Sequence, residues 1–253
     1  MSEDRVLLAF ETSSALGSVA VARGVDVLAV GWLEDMGRHG MHLVPEIAAS
    51  LRRADLSREA IGGVVVGHGP GSFTGLRVAV ATAKGLARSL KVPLWHHSSL
   101  AAAAVSEGVH LPDSVRGRWG ELHDPSGDIG GVPRYVLFDA RSDRVYAACY
   151  RVVGDRIVCL VEPAATTIAR VLAEPIPHDA EFCGQGALEH SQAIAEAGYV
   201  VRPLPDGIPT AEGLLCAHRL LSSVEPVPQT SWEPEYLRGS TAAAPSYLDR
   251  RRG

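Results

Sequence analysis

Gly67–Ala87 reads GHGPGSFTGLRVAVATAKGLA: a glycine-rich loop, Gly67–Gly75, running into a helix of small residues expected over Leu76–Leu90. The run before it, Ile61–Val66 (IGGVVV), is apolar throughout, as a buried strand is. Lys91–Trp95 then returns as another short strand. Strand, tight glycine turn, helix and strand in this order make an α/β unit.

Upstream, Val6–Phe10 (VLLAF) and Gly17–Ala22 read as two strands of a hairpin around Glu11-Thr12-Ser13-Ser14, with Val25–Leu33 as a third strand. His42–Ala54 reads as a helix whose Leu43, Ile47 and Leu51 share one face. Pro45 then belongs in its first turn, where no backbone N–H is needed. Ser98-Ser99 caps a helix over Leu100–Val105.

The plan repeats downstream. Arg134–Phe138 (RYVLF) is an apolar strand, Asp139-Ala140-Arg141-Ser142 a polar turn, and Arg144–Arg151 a second strand. Glu11 and Asp139 hold matching places, each after an apolar run ending in Phe. A duplicated strand–acid–turn–strand unit predicts two related lobes. Ile157–Val161 extends the second sheet, and helices are expected over Thr166–Glu174, Ala187–Ala197 and Thr210–Leu221. Glu181–Gly186 reads as a strand entering a second G-x-G turn. The lobes are expected at 1–105 and 134–253, the second with its tail packing back on the first. The Gly- and Pro-rich 106–133 between them reads as a flexible insertion, with His123-Asp124 in a solvated loop.

The chain has 253 residues, a net charge of −5 and a sequence pI of about 6.1. A protein that grips nucleic acid alone carries a basic excess, so any RNA contact is expected to be local or shared with a partner. Cys149, Cys159, Cys183 and Cys216 form no CxxC pair and read as reduced thiols. The start Ser2-Glu3-Asp4 lacks the features of a signal peptide, and no apolar run approaches the roughly 20 residues of a membrane span. A cytoplasmic location and no membrane contact are expected.

Glu11 and Asp139 have two readings: carboxylates holding a hydrated metal near a phosphate, or turn-forming acids that bond nearby N–H groups. With Thr12, Ser13, Gly69, Gly71, Ser72, Gly184 and Gly186 they make a candidate nucleotide set. Gly69–Gly75 has the ingredients of an anion cradle, yet no Lys-Ser/Thr follows it as in a Walker A loop. It reads equally as a tight turn with Ser72 or Thr74 as N-cap. Gly75, Ala79, Ala83 and Ala87 recur every fourth residue, a stripe that lets another helix approach closely. Arg77 and Lys84, seven residues apart, are positioned to pair with a partner's acids. On that reading Ala83→Trp spoils partner binding more than folding. His39 and His42 are spaced i, i+3 without the glutamate of zinc helices, so no metal site is expected. In Gly71–Gly75 the serine stands one place too early for a nucleophile elbow. No catalytic residues are assigned.

Gly69–Arg77 (GPGSFTGLR), with Lys84–Ala87 downstream, resembles the signature of the TsaB (YeaZ) family, a subunit of bacterial tRNA threonylcarbamoyladenosine biosynthesis. Glu11–Ser13, His39–Pro45, Asp139–Arg141 with Val145-Tyr146, Gly184–Gly186 and Glu233–Arg238 follow in the family's order. The resemblance implies the actin-like ATPase fold of the Hsp70 type, with two lobes. It implies a subunit without chemistry or cofactor of its own that pairs with a TsaD-like catalytic subunit, a TsaE-like ATPase joining them. tRNA is then reached only through the complex. An apolar helical surface left without its partner tends to find a match, so a homodimer is expected when the partner is missing. The implied interface is on the helices at His42–Ala54 and Leu76–Leu90, with His42, Ile47, Leu51, Gly75, Leu76, Arg77, Ala79, Ala83 and Lys84. Two departures stand out: Glu11 replaces the family's usual Asp, and 106–133 is longer than usual. The alternatives are a nucleotide-dependent enzyme, with ATP or ADP at the lobe junction, and a metallopeptidase on the same fold.

Overall fold

A computed structural model describes residues 4–33, 39–106, 131–140, 143–221 and 224–228. The flexible-insertion reading of 106–133, His123-Asp124 and the Glu233–Arg238 block lie wholly or mostly outside them.

Strands β1 (Val6–Glu11), β2 (Gly17–Arg23) and β3 (Asp26–Leu33) form an antiparallel meander. β4 (Ile61–Gly67) joins β1 in parallel, and β5 (Leu94–His97) joins β4 in parallel, giving the order β3-β2-β1-β4-β5. The second sheet repeats this order and these orientations. β6 (Arg134–Asp139), β7 (Val145–Val153) and β8 (Arg156–Thr166) are its meander, with β9 (Glu181–Cys183) and β10 (Val200–Val201) parallel beside β6. Two sheets of identical topology make the fold α/β and actin-like. The sequence duplication is therefore a duplication of topology.

Side-chain alternation along the central strands places a core on each face. Val6, Leu8 and Phe10 pack under helices α1 (His39–Arg53) and α2 (Phe73–Leu90). Leu7 and Ala9 face α3 (Ser99–Ala104) and α7 (Ala211–Leu220) through Ala102, Ala211, Leu214 and Leu215. Val136 and Phe138 meet the same two helices from the other side, through Leu100, Ala101, Ala104 and Ala217. Tyr135 and Leu137 face α4 (Ile168–Ala173), α5 (Gln185–Glu189) and α6 (Ser191–Glu196) through Val171, Ala187 and Ile194. α3 and α7 thus lie between the sheets. That explains the all-buried Ser-Leu-Ala-Ala-Ala-Ala of α3: small residues fit where a helix has sheets on both sides.

Several boundaries differ from the sequence reading. α1 begins at His39, so Pro45 lies in its second turn, not its first. An interior proline costs about 3 kcal/mol. Burial of Leu43, Ile47 and Leu51, at about 1.5–3 kcal/mol each, outweighs it. α2 begins at Phe73, because the Ser72 hydroxyl caps Gly75 N–H at 3.3 Å and turns the backbone early. Lys91 ends α2 in the left-handed region (φ 57°), which delays β5 to Leu94. β8 runs on to Thr166, and Thr167 caps the shortened α4. The helix expected over Ala187–Ala197 is two short helices, α5 and α6, broken at His190.

Candidate functional site

The glycine loop joins β4 to α2 and lies against the β1–β2 turn. Ser72 N–H donates to the Ser13 carbonyl at 2.7 Å, and the Thr12 hydroxyl donates to the Gly75 carbonyl at 2.8 Å. A Cβ at Gly71 would overlap the Ser13 backbone, and one at Gly75 the Thr12 carbonyl. Glycine is needed there for close approach of two backbones. Ser99, at the head of α3, accepts Gly69 N–H on its hydroxyl at 3.2 Å and donates its own N–H to the Gly69 carbonyl at 2.8 Å. The loop is therefore tied at both ends to neighbouring strand ends.

Glu11 is fully buried. Its Oε1 accepts Ser13 N–H at 2.6 Å and its Oε2 accepts the Ser99 hydroxyl at 2.7 Å. Burial pushes its pKa up, opposed by the hydrogen bonds from Ser13 and Ser99. The polar groups of Glu11, Thr12 and Ser13 hold the glycine loop, and the Glu11 carboxylate bonds a nearby backbone N–H as a turn-forming acid does. Asp139 ends β6 as Glu11 ends β1, opposite Val145 where Glu11 is opposite Ser18. It is exposed, so the matching places have opposite environments. Gly184 (φ +94°) and Gly186 press against the Leu137 carbonyl and the β6 backbone. They shape the β9–α5 turn as Gly71 and Gly75 shape the first.

The small-residue stripe needs a correction. Gly75, Leu76, Ala79 and Ala83 are buried in the chain's own core, as are Ile47 and Leu51 of α1. The stripe faces the first sheet, which approaches closely because these side chains are small. Of the residues proposed for an interface, His42 and Arg77 are exposed and Lys84 is half-buried. The outer face of α1 and α2 carries residues the sequence reading did not single out: Met41 (70% exposed), Val44 (57%) and Phe73 (51%). Arg77 lies over the Phe73 ring, 3.9 Å from its centroid. Ala81 and Gly85 continue the exposed row from Arg77, and a Cβ on Gly85 would meet nothing within 4 Å. A Cβ on Gly40 would lie 3.3 Å from Val78, so α1 and α2 pack closely at that point. Three large apolar residues are thus exposed on these two packed helices, as at surfaces that mark a protein contact.

A buried histidine pair went unnoticed in the sequence because its members are 121 residues apart. His97 Nε2 and His218 Nδ1 are 2.9 Å apart, linking β5 to α7. Desolvation lowers both pKa values, to about 3 and about 4. Among the described residues no three His, Cys, Asp or Glu side chains converge as a metal site, and no helix is long and apolar enough to cross a membrane.

Residues 36–117 match the family model described as TsaD, tRNA N6-adenosine threonylcarbamoyltransferase. An uncharacterized protein of Mycobacterium tuberculosis is 34% identical over 212 residues, 81% of this chain and 83% of that one. The tRNA threonylcarbamoyladenosine biosynthesis protein TsaB of Bacillus subtilis is 29% identical over 145 residues, 57% of this chain. That match spans about half, 55%, of the Bacillus protein's length. Among solved structures, a Pseudomonas aeruginosa protein described as similar to peptidase YeaZ superposes with a TM-score of 0.71 at 26% identity. It covers 92% of this chain and 100% of that one.

Proposed function

Because the chain belongs to the TsaB (YeaZ) family, we propose that it works in tRNA threonylcarbamoyladenosine biosynthesis as a non-catalytic subunit that docks a TsaD-like catalytic chain on the outer face of α1 and α2. The observation that carries this reading is the exposure of three large apolar residues, Met41, Val44 and Phe73, on two packed helices. They lie within the span that matches the TsaD family model, on helices that also carry a row of small exposed residues. Small side chains at Ala81 and Gly85 admit a partner helix, and the Arg77 charge orients it. Met and aromatic residues anchor such contacts. The proposed interface thus keeps His42, Arg77 and Lys84 and replaces the buried stripe with Met41, Val44, Phe73, Ala81 and Gly85. We assign the chain no chemistry or cofactor of its own. A TsaE-like ATPase joins the pair, tRNA is met only through the complex, and two copies pair through the same face when the partner is absent. The site of action is the cytoplasm.

The test is direct. The purified chain is mixed with its cognate TsaD-like protein and examined by size exclusion and calorimetry. A one-to-one complex is expected, and Gly85→Trp weakens it by about tenfold or more while leaving the melting temperature unchanged. Absence of a complex, or a Gly85→Trp chain that binds normally, defeats the reading. Turnover of Mg-ATP by the isolated chain would favour a nucleotide-dependent enzyme instead.

A further inference from the structure

Glu11 touches more of the chain than a turn-forming acid requires. Its two oxygens hold Ser13 N–H and the Ser99 hydroxyl, and Ser99 in turn holds both backbone polar groups of Gly69. Gly67, at the end of β4, lies directly against the carboxylate. A Cβ there would overlap Glu11 Oε2, with Cδ at 2.6 Å and Oε1 at 2.9 Å, all three nearest atoms belonging to Glu11. The carboxylate therefore fills space that a side chain on β4 would otherwise occupy. It joins the ends of β1 and β4 and the head of α3. The matching acid of the second sheet, Asp139, is one methylene shorter and exposed.

The side-chain length is the deciding quantity. Removing one methylene from Glu11 withdraws the carboxylate by about 1.5 Å. The Ser13 contact is local and survives such a change. The Ser99 bond, lengthened from 2.7 Å by that amount, does not. The Ser99 hydroxyl, which accepts Gly69 N–H, then loses the acceptor that orients it, and only the Ser99 N–H bond to the Gly69 carbonyl is left as it was; the loop from Gly69 to Ser72 sets where α2 begins.

We propose that Glu11 is a positioning residue for the partner face: through Ser99 and Gly69 it holds the glycine loop, and with it Phe73 and Arg77 at the start of α2, in the geometry that docks the partner. The inference rests on the partner-binding reading above. It requires Glu11 and Gly67 to be coupled, since glycine at 67 is what makes room for the longer acid.

The experiment uses the full chain as Glu11→Asp, Glu11→Gln, Gly67→Ala and the double variant Glu11→Asp/Gly67→Ala. Affinity for the TsaD-like protein is measured alongside hydrogen exchange of the Gly69 and Ser72 amides in the free chain. Glu11→Asp is expected to weaken binding about tenfold and to speed exchange at both amides. Glu11→Gln, which keeps the length, accepts Ser13 N–H on its amide oxygen and donates its NH2 to the Ser99 hydroxyl oxygen, stays within about twofold of wild type. Gly67→Ala resembles Glu11→Asp, and the double variant is less impaired than Gly67→Ala because the shorter acid relieves the overlap. Wild-type affinity and exchange in Glu11→Asp, or additive effects in the double variant, overturn the proposal. If the wild-type chain binds no partner, the partner reading fails separately. Exchange at Gly69 and Ser72 then decides the latch by itself, unchanged protection in Glu11→Asp refuting it.

Discussion

His97 and His218 share a hydrogen bond of 2.9 Å between Nε2 and Nδ1, and this contact fastens helix α7 to the edge strand of the first sheet. Both rings are buried, and Trp95 stacks at a tilt on His218 with centroids 4.9 Å apart. The charged and titratable groups acting on the pair are His68, His96, Arg5 and Arg219, none of which is an acid. Both histidines are therefore held neutral.

This fixes a pH dependence. The folded-state values, about 3 and about 4, lie below the ordinary 6.5, so below 6.5 the unfolded chain binds more protons. The stability contributed by neutral burial is complete above pH 6.5 and is lost as the pH falls from there toward 4. Each histidine can lower stability by up to about 1.4 kcal/mol per pH unit in that window. Urea midpoints taken between pH 8 and pH 5 should fall on the acid side, and His218→Asn should flatten the slope. A wild-type midpoint that does not move would refute the assignment.

Ala83 and Ala81 are two residues apart on α2 but face opposite ways. Ala83→Trp forces an indole into the core beneath the first sheet and should cost at least about 3 kcal/mol, seen as a large drop in melting temperature. Ala81→Trp, on the exposed side, should change stability by no more than about 0.5 kcal/mol. The ordering of these two melts distinguishes a core stripe from an interface stripe.

Thr210 is a fully buried cap with two duties. Its hydroxyl accepts Gly213 N–H at 2.9 Å and lies 3.0 Å from the Ser106 hydroxyl. Thr210→Ala should cost about 2 kcal/mol, more than an ordinary cap, because the Ser106 hydroxyl loses a partner. Thr210→Ser keeps the oxygen and should recover most of it by chemical denaturation.

Arg134 is 5% exposed at the start of β6, with Asp206 Oδ2 at 3.6 Å and Glu181 Oε2 at 3.9 Å. Arg202 bridges the same two acids at 2.7 Å and 3.5 Å. Asp206→Ala removes the acid common to both arginines and leaves a buried guanidinium poorly paired, at a cost of about 3–5 kcal/mol. Denaturant midpoints that shift by less than about 1 kcal/mol would show that Glu181 alone suffices.

The repeating strand pattern was legible in the sequence. VLLAF and RYVLF, each followed by an acid and a second strand, predicted two sheets built alike, and both sheets have the same strand order. The glycine turn, with Ser72 as one of two cap candidates, and a helix near Thr210–Leu221 were legible too, since caps and apolar periodicity act within a few residues. What the chain's local chemistry determined was therefore the kind of each element and the repeat that builds two like sheets.

Direction was not legible. Gly75, Ala79 and Ala83 share a helix face whether that face meets a sheet or a partner, because small residues suit any close neighbour. Only the tertiary structure put the sheet against it and left Met41, Val44 and Phe73 outside. Glu11 and Asp139 look equivalent along the chain, yet one is sealed against Ser99 and Gly67 and the other is exposed. His97 found His218 across 121 residues. Sequence periodicity records which side chains lie together on an element. Which of them are buried depends on what folds over that element from elsewhere in the chain.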